Sequence, residues 1–395
     1  MAVRTGPRVA VVGGGVFGVT AALHLARAGC AVTLYEQGAD LLLGASNVNQ
    51  RRLHRGYHYP RSPETAREVV EGVRTFVEEY SEAVVADQRH YMAIARTGSL
   101  TTAEQYLRFC DEVGLEYREE QPSFLRRRSV EVSLRVREYG LDVDTLRRIC
   151  WRRLRRAGVN VRLRHRVALA DLRDHDRVTL AAYAGLNHLA RSIPGQGDEY
   201  QFEVCEKPVV RLPAPYRGTS VVVLDGPFLS VDPLANTDLF LVGNVTHAIH
   251  ATTVGVLPLV PRAVAGLLDN GVHPPPAHSR FRAFVAAGRE FFVGFEQARH
   301  DGSMFTVRSV LPYLDRTDAR PTLVRQLDER TVSIFSGKIA TCVDAARQAV
   351  RLVTGDGPAA PGRPPSSPGP VGFPAAPAGP GAAGRVALAT GGTAP

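Results

Sequence analysis

Arg8-Val9-Ala10-Val11-Val12-Gly13-Gly14-Gly15-Val16-Phe17-Gly18 is the stretch whose reading decides the fold. Residues 8–13 read as a short buried strand, and residues 15–28 then carry Val16, Val19, Leu23 and Ala26 at helical spacing. Gly29 ends that helix, and Ala31 to Tyr35 form a second strand closed by Glu36. Gly13, Gly15 and Gly18 satisfy G-x-G-x-x-G, a string that says little alone. Its context is a strand before, a helix after and an acid at the tip of the next strand, which together predict a dinucleotide site. Gly13 permits the tight turn, Gly15 lets the backbone approach a pyrophosphate, and Gly18 lets the helix pack closely on the strand. Val16 and Phe17 open the helix, whose free N–H groups and partial positive charge face the phosphates. Glu36 accepts from ribose hydroxyls, which argues against a 2′-phosphate and so against NADP. The fingerprint does not choose between FAD and NAD.

Outward from this unit, the chain of 395 residues is long enough for roughly two domains. No apolar run approaches the ~20 residues that cross a bilayer, so no membrane partner is expected. No secretory leader is expected either. The five cysteines are scattered, odd in number and without a CxxC pair, so neither a disulfide framework nor a metal site is expected, and a cytoplasmic location fits best. The net charge of +9 raises nucleic acid as a partner. Against that, the charge is dispersed arginine, with Lys207 and Lys338 the only lysines, and no aromatics alternate with the densest run, Arg147 to Arg166. A small-molecule substrate is expected instead of nucleic acid.

Gly44-Ala45-Ser46-Asn47-Val48-Asn49-Gln50-Arg51-Arg52-Leu53-His54-Arg55-Gly56-Tyr57-His58-Tyr59-Pro60-Arg61-Ser62 follows the second strand directly. It is dense in small and polar groups where a nicotinamide dehydrogenase would carry an ordinary helix. Here the chain resembles the D-amino-acid oxidase and glycine oxidase superfamily of FAD enzymes. It is most similar to members with an Ala-Ser-x-x-Asn…His-x-Gly-x-x-Tyr segment, 2-hydroxyglutarate dehydrogenases among them. The resemblance runs over most of residues 8–353 and is closest at 8–62. It implies FAD as cofactor and an α/β fold, with a Rossmann-like FAD-binding domain of the glutathione-reductase-2 type and a discontinuous β-rich substrate domain. The expected division is 8–85, 140–199 and 318–353 for FAD, and 86–139 and 200–317 for substrate. A Pro/Gly/Ala-rich tail over 354–395 is expected to be disordered.

The resemblance also implies roles. Ser46 and Asn49 would bind the pyrophosphate side, Arg52 and His54 would approach the isoalloxazine, and Val167, ending a strand, would meet the adenine side. Arg308 would match an arginine that holds a substrate carboxylate, although Ser309 replaces the family's proline after it. The segment Phe335-Ser336-Gly337-Lys338-Ile339 looks like the final glycine turn and helix, the helix running from Lys338 to Leu352. A helix start placed there would stabilise negative charge on the reduced flavin.

Between these landmarks, a helix opens at Pro63, strands at 88–98 and 128–139 flank a helix at Ala103 to Val113, and residues 200–242 are β-rich. A further helix is expected over Ser279 to Phe292, and a strand over Thr331 to Phe335.

The chemistry expected first is hydride transfer from a C–N bond of an amine or amino acid to flavin N5, with O2 or another acceptor taking the electrons. An alcohol donor must also lose its O–H proton, so the alternative is a secondary alcohol or 2-hydroxy acid dehydrogenase with His54 as base. Tyr57 and Tyr59 would wall the pocket beside His58, and Asn244, His247 and His250 are nearby candidates. An aromatic monooxygenase ranks last, because Leu241-Val242-Gly243-Asn244 only faintly matches the Gly-Asp turn of such flavoproteins.

Overall fold

Apolar strands make the first sheet. Val9, Ala10 and Val11 are fully buried in β1 (Arg8–Val12), and β2 (Ala31–Tyr35) pairs with it in parallel from Arg8↔Ala31 to Val12↔Tyr35. Between them runs α1 (Val16–Arg27), buried on most sides. A computed structural model describes residues 6–226, 229–313 and 320–355. The expected tail beyond Gly355 lies outside these residues.

The sheet has six strands in the order Leu323–Gln326, Thr331–Phe335, Arg177–Leu180, β1, β2, Asn160–Arg162. All neighbours are parallel except the first two. Strands far apart in sequence meet here beside the closing helix Cys342–Thr354, which packs on α1; Ala345, Ala346 and Ala349 of the one and Ala21 and Ala22 of the other are buried in the same apolar core. This is the doubly wound α/β architecture expected from the opening motif.

A second, nine-stranded and mostly antiparallel sheet stands beside it, running Ile249–Gly255, Tyr200–Arg211, Leu239–Asn244, Leu229–Pro233, Thr219–Leu224, Arg89–Ala95, Val130–Val136, Tyr117–Glu119. Arg299–Val310 adds to it by pairing along Tyr200–Arg211. Along Leu229–Pro233 the pleat sends Leu229 and Val231 into an apolar core, and Ser230 and Asp232 to the opposite face. A small third sheet joins Arg52–Leu53, Tyr139–Leu141 and Val84–Val85, and its Arg52↔Gly140 register sets Glu138 beside the loop that follows Arg52.

Three expectations need correction. The strand expected to end at Val167 stops at Arg162, because Arg164 adopts φ +53 and the chain turns to bond Gly38 O and Glu36 O through the amides of Arg164 and His165. The closing α-helix begins at Cys342 instead of Lys338. Ile339–Thr341 form a tighter 3₁₀ turn, held by the Thr341 hydroxyl donating to Lys338 O at 2.8 Å. The strand expected over 128–139 is two, Val130–Val136 and Tyr139–Leu141, which serve different sheets.

Candidate functional site

A cavity of about 980 Å³ lies along the ends of the first sheet and against the face of the second. That is at the upper end of the ~300–1,000 Å³ usual for small-molecule sites. One end is made largely of backbone. Gly13 has φ +112, and a Cβ there would stand 2.5 Å from Ala181 O; a Cβ on Gly18 would stand 1.9 Å from Gly13 O. Gly18 therefore lies under the turn, outside the lining, as a packing glycine should. Gly13, Gly15, Val16 and Phe17 line the cavity, and α1 starts from Gly15 with no acidic residue in its first turn. Its first amide, Val16 N, donates to Ser46 Oγ at 3.0 Å. Glu36 turns back over the loop, accepting from Gly14 N and Gly38 N at 2.6 Å each. Val167 also lines this end, from a loop.

Loop 44–51 is held by its own side chains. Asn49 Nδ2 donates to Ala45 O and Ser46 O at 3.0 and 2.8 Å, and Asn49 Oδ1 accepts from Arg51 N at 2.7 Å. Asn49 lines the cavity, but these polar atoms serve the loop. Arg51 is buried against Asn47, and burial pulls its guanidinium down to about 10.

The other end is built from buried charge. Arg52, 1% exposed in its side chain, pairs with Glu138 at 2.6 Å and approaches Asp232 at 3.6 Å. Glu138 Oε1 accepts from Arg55 N at 3.0 Å and faces His54 Nδ1 at 3.7 Å. Burial would raise the Glu138 carboxyl, but Arg52 and His54 hold it well below its ordinary range. Burial lowers the His54 imidazole against the pull of Glu138, so His54 is neutral at neutral pH. The His58 ring lies 4.1 Å from that of His54 and is lowered further, by burial and by His54. His54, His58, Tyr59, Gly337, Lys338 and Ile339 all line this cavity, and Lys338 Nζ sits 4.9 Å over the Tyr59 ring.

Several candidates take other places. Arg308 lines the cavity, but it stands opposite Glu203 in the antiparallel register and donates to it from Nε at 2.6 Å. Its charge is thereby matched before any substrate arrives. Tyr57 is no wall; its hydroxyl donates to Glu116 O. Asn244 lines the cavity, whereas His247 is capped through its amide by Asn244, and His250 contacts Glu206 at 2.8 Å. Motif reading gives no site role to Glu138, Asp232, Glu203 or Lys207. Only Lys207 carried a signal, as one of two lysines among 48 basic residues.

The sequence matches the family described as FAD dependent oxidoreductase (DAO) over residues 8–223, more than half of the chain. The chain belongs to the DAO family of FAD-dependent oxidoreductases. The FAD-dependent monooxygenase FPY4 of Fusarium mangiferae is 26% identical over 346 residues, covering 87% of this chain and 90% of that one. The FAD-dependent monooxygenase kojA of Aspergillus flavus is 34% identical over 171 residues, 41% of this chain and 39% of that one. Among solved structures, glycine oxidase from Geobacillus kaustophilus superposes with a TM-score of 0.67 at 17% identity, over 88% of this chain and 95% of that one. No helix of the described residues is long and apolar enough to cross a membrane, and the five cysteines are buried.

Proposed function

We propose that this DAO-family enzyme dehydrogenates a carbon bearing a hydroxyl, in a secondary alcohol or 2-hydroxy acid, with His54 as general base. The observation that carries this is the buried His54–Glu138 pair at 3.7 Å. A neutral imidazole with a carboxylate behind one nitrogen is oriented to take a proton with the other, and the carboxylate stabilises the imidazolium that results. Bound FAD supplies the two-electron acceptor for the hydride that leaves the same carbon. Arg52 keeps Glu138 ionised, and Glu138 also anchors the loop through Arg55 N. Segments 8–85, 140–199 and 318–353 would hold the FAD, with 86–139 and 200–317 shaping the substrate side. Gly13, Gly15, Val16, Phe17, Glu36 and Ser46 would meet its dinucleotide portion, and Gly337, Lys338 and Ile339 its ring.

Amine or amino-acid oxidation is the second reading, supported by glycine oxidase as a neighbour in fold. It needs no base, and the pairing of Arg308 with Glu203 removes the cation expected to hold an amino-acid carboxylate. The name monooxygenase, borne by FPY4 and kojA, supports a third. Anaerobic mixing of the yellow holoenzyme with hydroxy acids, secondary alcohols, amines and amino acids separates these. Bleaching by alcohols, slowed about 10²–10⁴-fold by His54→Ala, supports the proposal. Bleaching by amines alone, or only by NADPH, refutes it.

A further inference from the structure

The strand Tyr200–Arg211 presents Gln201, Glu203, Cys205 and Lys207 to the cavity at every second position. Glu203 is engaged with Arg308. Lys207 has no carboxylate oxygen at ion-pair distance among the described residues, and burial lowers its ammonium despite the pull of Asp232. The amine has a place made for it. A Cβ on Gly243 would come within 2.8 Å of Lys207 Nζ and 2.4 Å of Ser230 Oγ, so the missing side chain is the room that the amine occupies. Ser230 Oγ is in turn 3.3 Å from Gln50 Nε2. An ammonium and a carboxamide of the cavity wall, from Lys207 and Gln50, thus share one corner with the buried Ser230 hydroxyl.

This corner lies at the chemical end of the site. Asp232, which acts on Lys207, stands 3.6 Å from Arg52, and Arg52 stands 2.6 Å from the glutamate that faces His54. Three arginines of the lining are engaged: Arg52 by Glu138, Arg61 by Asp225 at 2.9 Å, and Arg308 by Glu203. Only two of 48 basic residues are lysine, and both line this one cavity. A compact ammonium fits beside Gly243 and Ser230 where a planar guanidinium would not.

We propose that Lys207 anchors a carboxylate of the substrate, so that the site selects a 2-hydroxy acid over a neutral alcohol. The hydroxyl part of that assignment rests on the reading of His54 above; the carboxylate part does not. The test is a titration of holoenzyme with pyruvate and 2-oxoglutarate, which cannot give up a hydride, against the neutral pyruvamide, followed by perturbation of the flavin absorbance. Carboxylates are expected to bind and pyruvamide to bind poorly. Lys207→Met should raise the carboxylate Kd roughly tenfold or more, the scale of a charge-assisted contact, and leave pyruvamide unchanged. Gly243→Ala, which displaces the amine, should weaken carboxylates in the same sense and serves if Lys207→Met fails to load FAD. Wild-type affinity should fall at alkaline pH below the ordinary lysine range, and the weaker binding left in Lys207→Met should show no such fall.

Absence of carboxylate binding to wild type, or its loss in Arg308→Met but not in Lys207→Met, overturns the anchor. If neutral alcohols bleach the flavin while carboxylates do not bind, the anchor fails and the His54 reading stands. Lysine-dependent carboxylate binding with bleaching by amines alone does the reverse.

Discussion

The two ends of the cavity are built by different physics. The Gly13–Glu36 end is made of backbone amides, a helix start and one carboxylate, all within a run of 24 residues. The His54 end is made of side chains from segments that meet only after folding: Arg52, His54 and Lys207 in the lining, with Glu138 and Asp232 behind them. A backbone site tolerates almost any side chain except where a Cβ would collide. A buried charge cluster tolerates little, because each ion depends on a partner for its solvation.

The contrast can be broken most severely at the backbone end. Gly18→Val places atoms on Gly13 O, where a Cβ alone already reaches 1.9 Å, and no FAD-loaded protein is expected on purification. Recovery of yellow protein would show that the turn can relax. At the charged end, Glu138→Gln leaves Arg52 buried with Asp232 alone, and should cost about 3–5 kcal/mol in denaturant unfolding. A loss below about 1 kcal/mol would mean that water reaches the cluster.

Acid should find the same end. The imidazoles of His54, His58 and His90 are all pushed down by burial, His90 to about 3. A histidine kept neutral in the fold lets the unfolded chain bind the extra proton, so stability is complete above the ordinary histidine range. It then falls as pH drops from about 6.5 toward each folded value, at up to about 1.4 kcal/mol per pH unit for each group. Unfolding midpoints measured from pH 8 to 5 test this, and a flat profile would refute the neutral assignment. The rate of flavin reduction by alcohols should likewise be level above neutral pH and fall in acid, as His54 takes up a proton before substrate can supply one. The smallest effect is expected from Glu36→Gln, which keeps the shape but loses the charge. FAD affinity should drop roughly tenfold, with no change in the reduction rate.

The backbone end was legible residue by residue, because turn, helix start and acid are close in sequence and their spacing is set by local geometry. The charged end was legible only as a loop rich in histidine, arginine and tyrosine. Nothing local ties Arg52 to Glu138, since they meet through a strand pairing, Arg52↔Gly140, that joins remote segments. Arg308 shows the same gap. Its residue type suggested a free cation, and only the register that sets Glu203 opposite reveals that its charge is matched. Val167 and Lys338 line the cavity from other elements than expected, a loop and the position before a 3₁₀ turn, because a single left-handed residue and a threonine hydroxyl moved the boundaries.

The sequence by itself determined the α/β class and the dinucleotide turn, which follow from short-range periodicity and glycine sterics, and FAD as cofactor came through the resemblance of residues 8–62 to a family of FAD enzymes. Tertiary structure alone decided which of the many arginines are already spoken for, which histidine has a carboxylate behind it, and that both lysines face one cavity. Those are facts about partners across sheets, and a charge acquires its chemical role from what solvates it after water has been excluded.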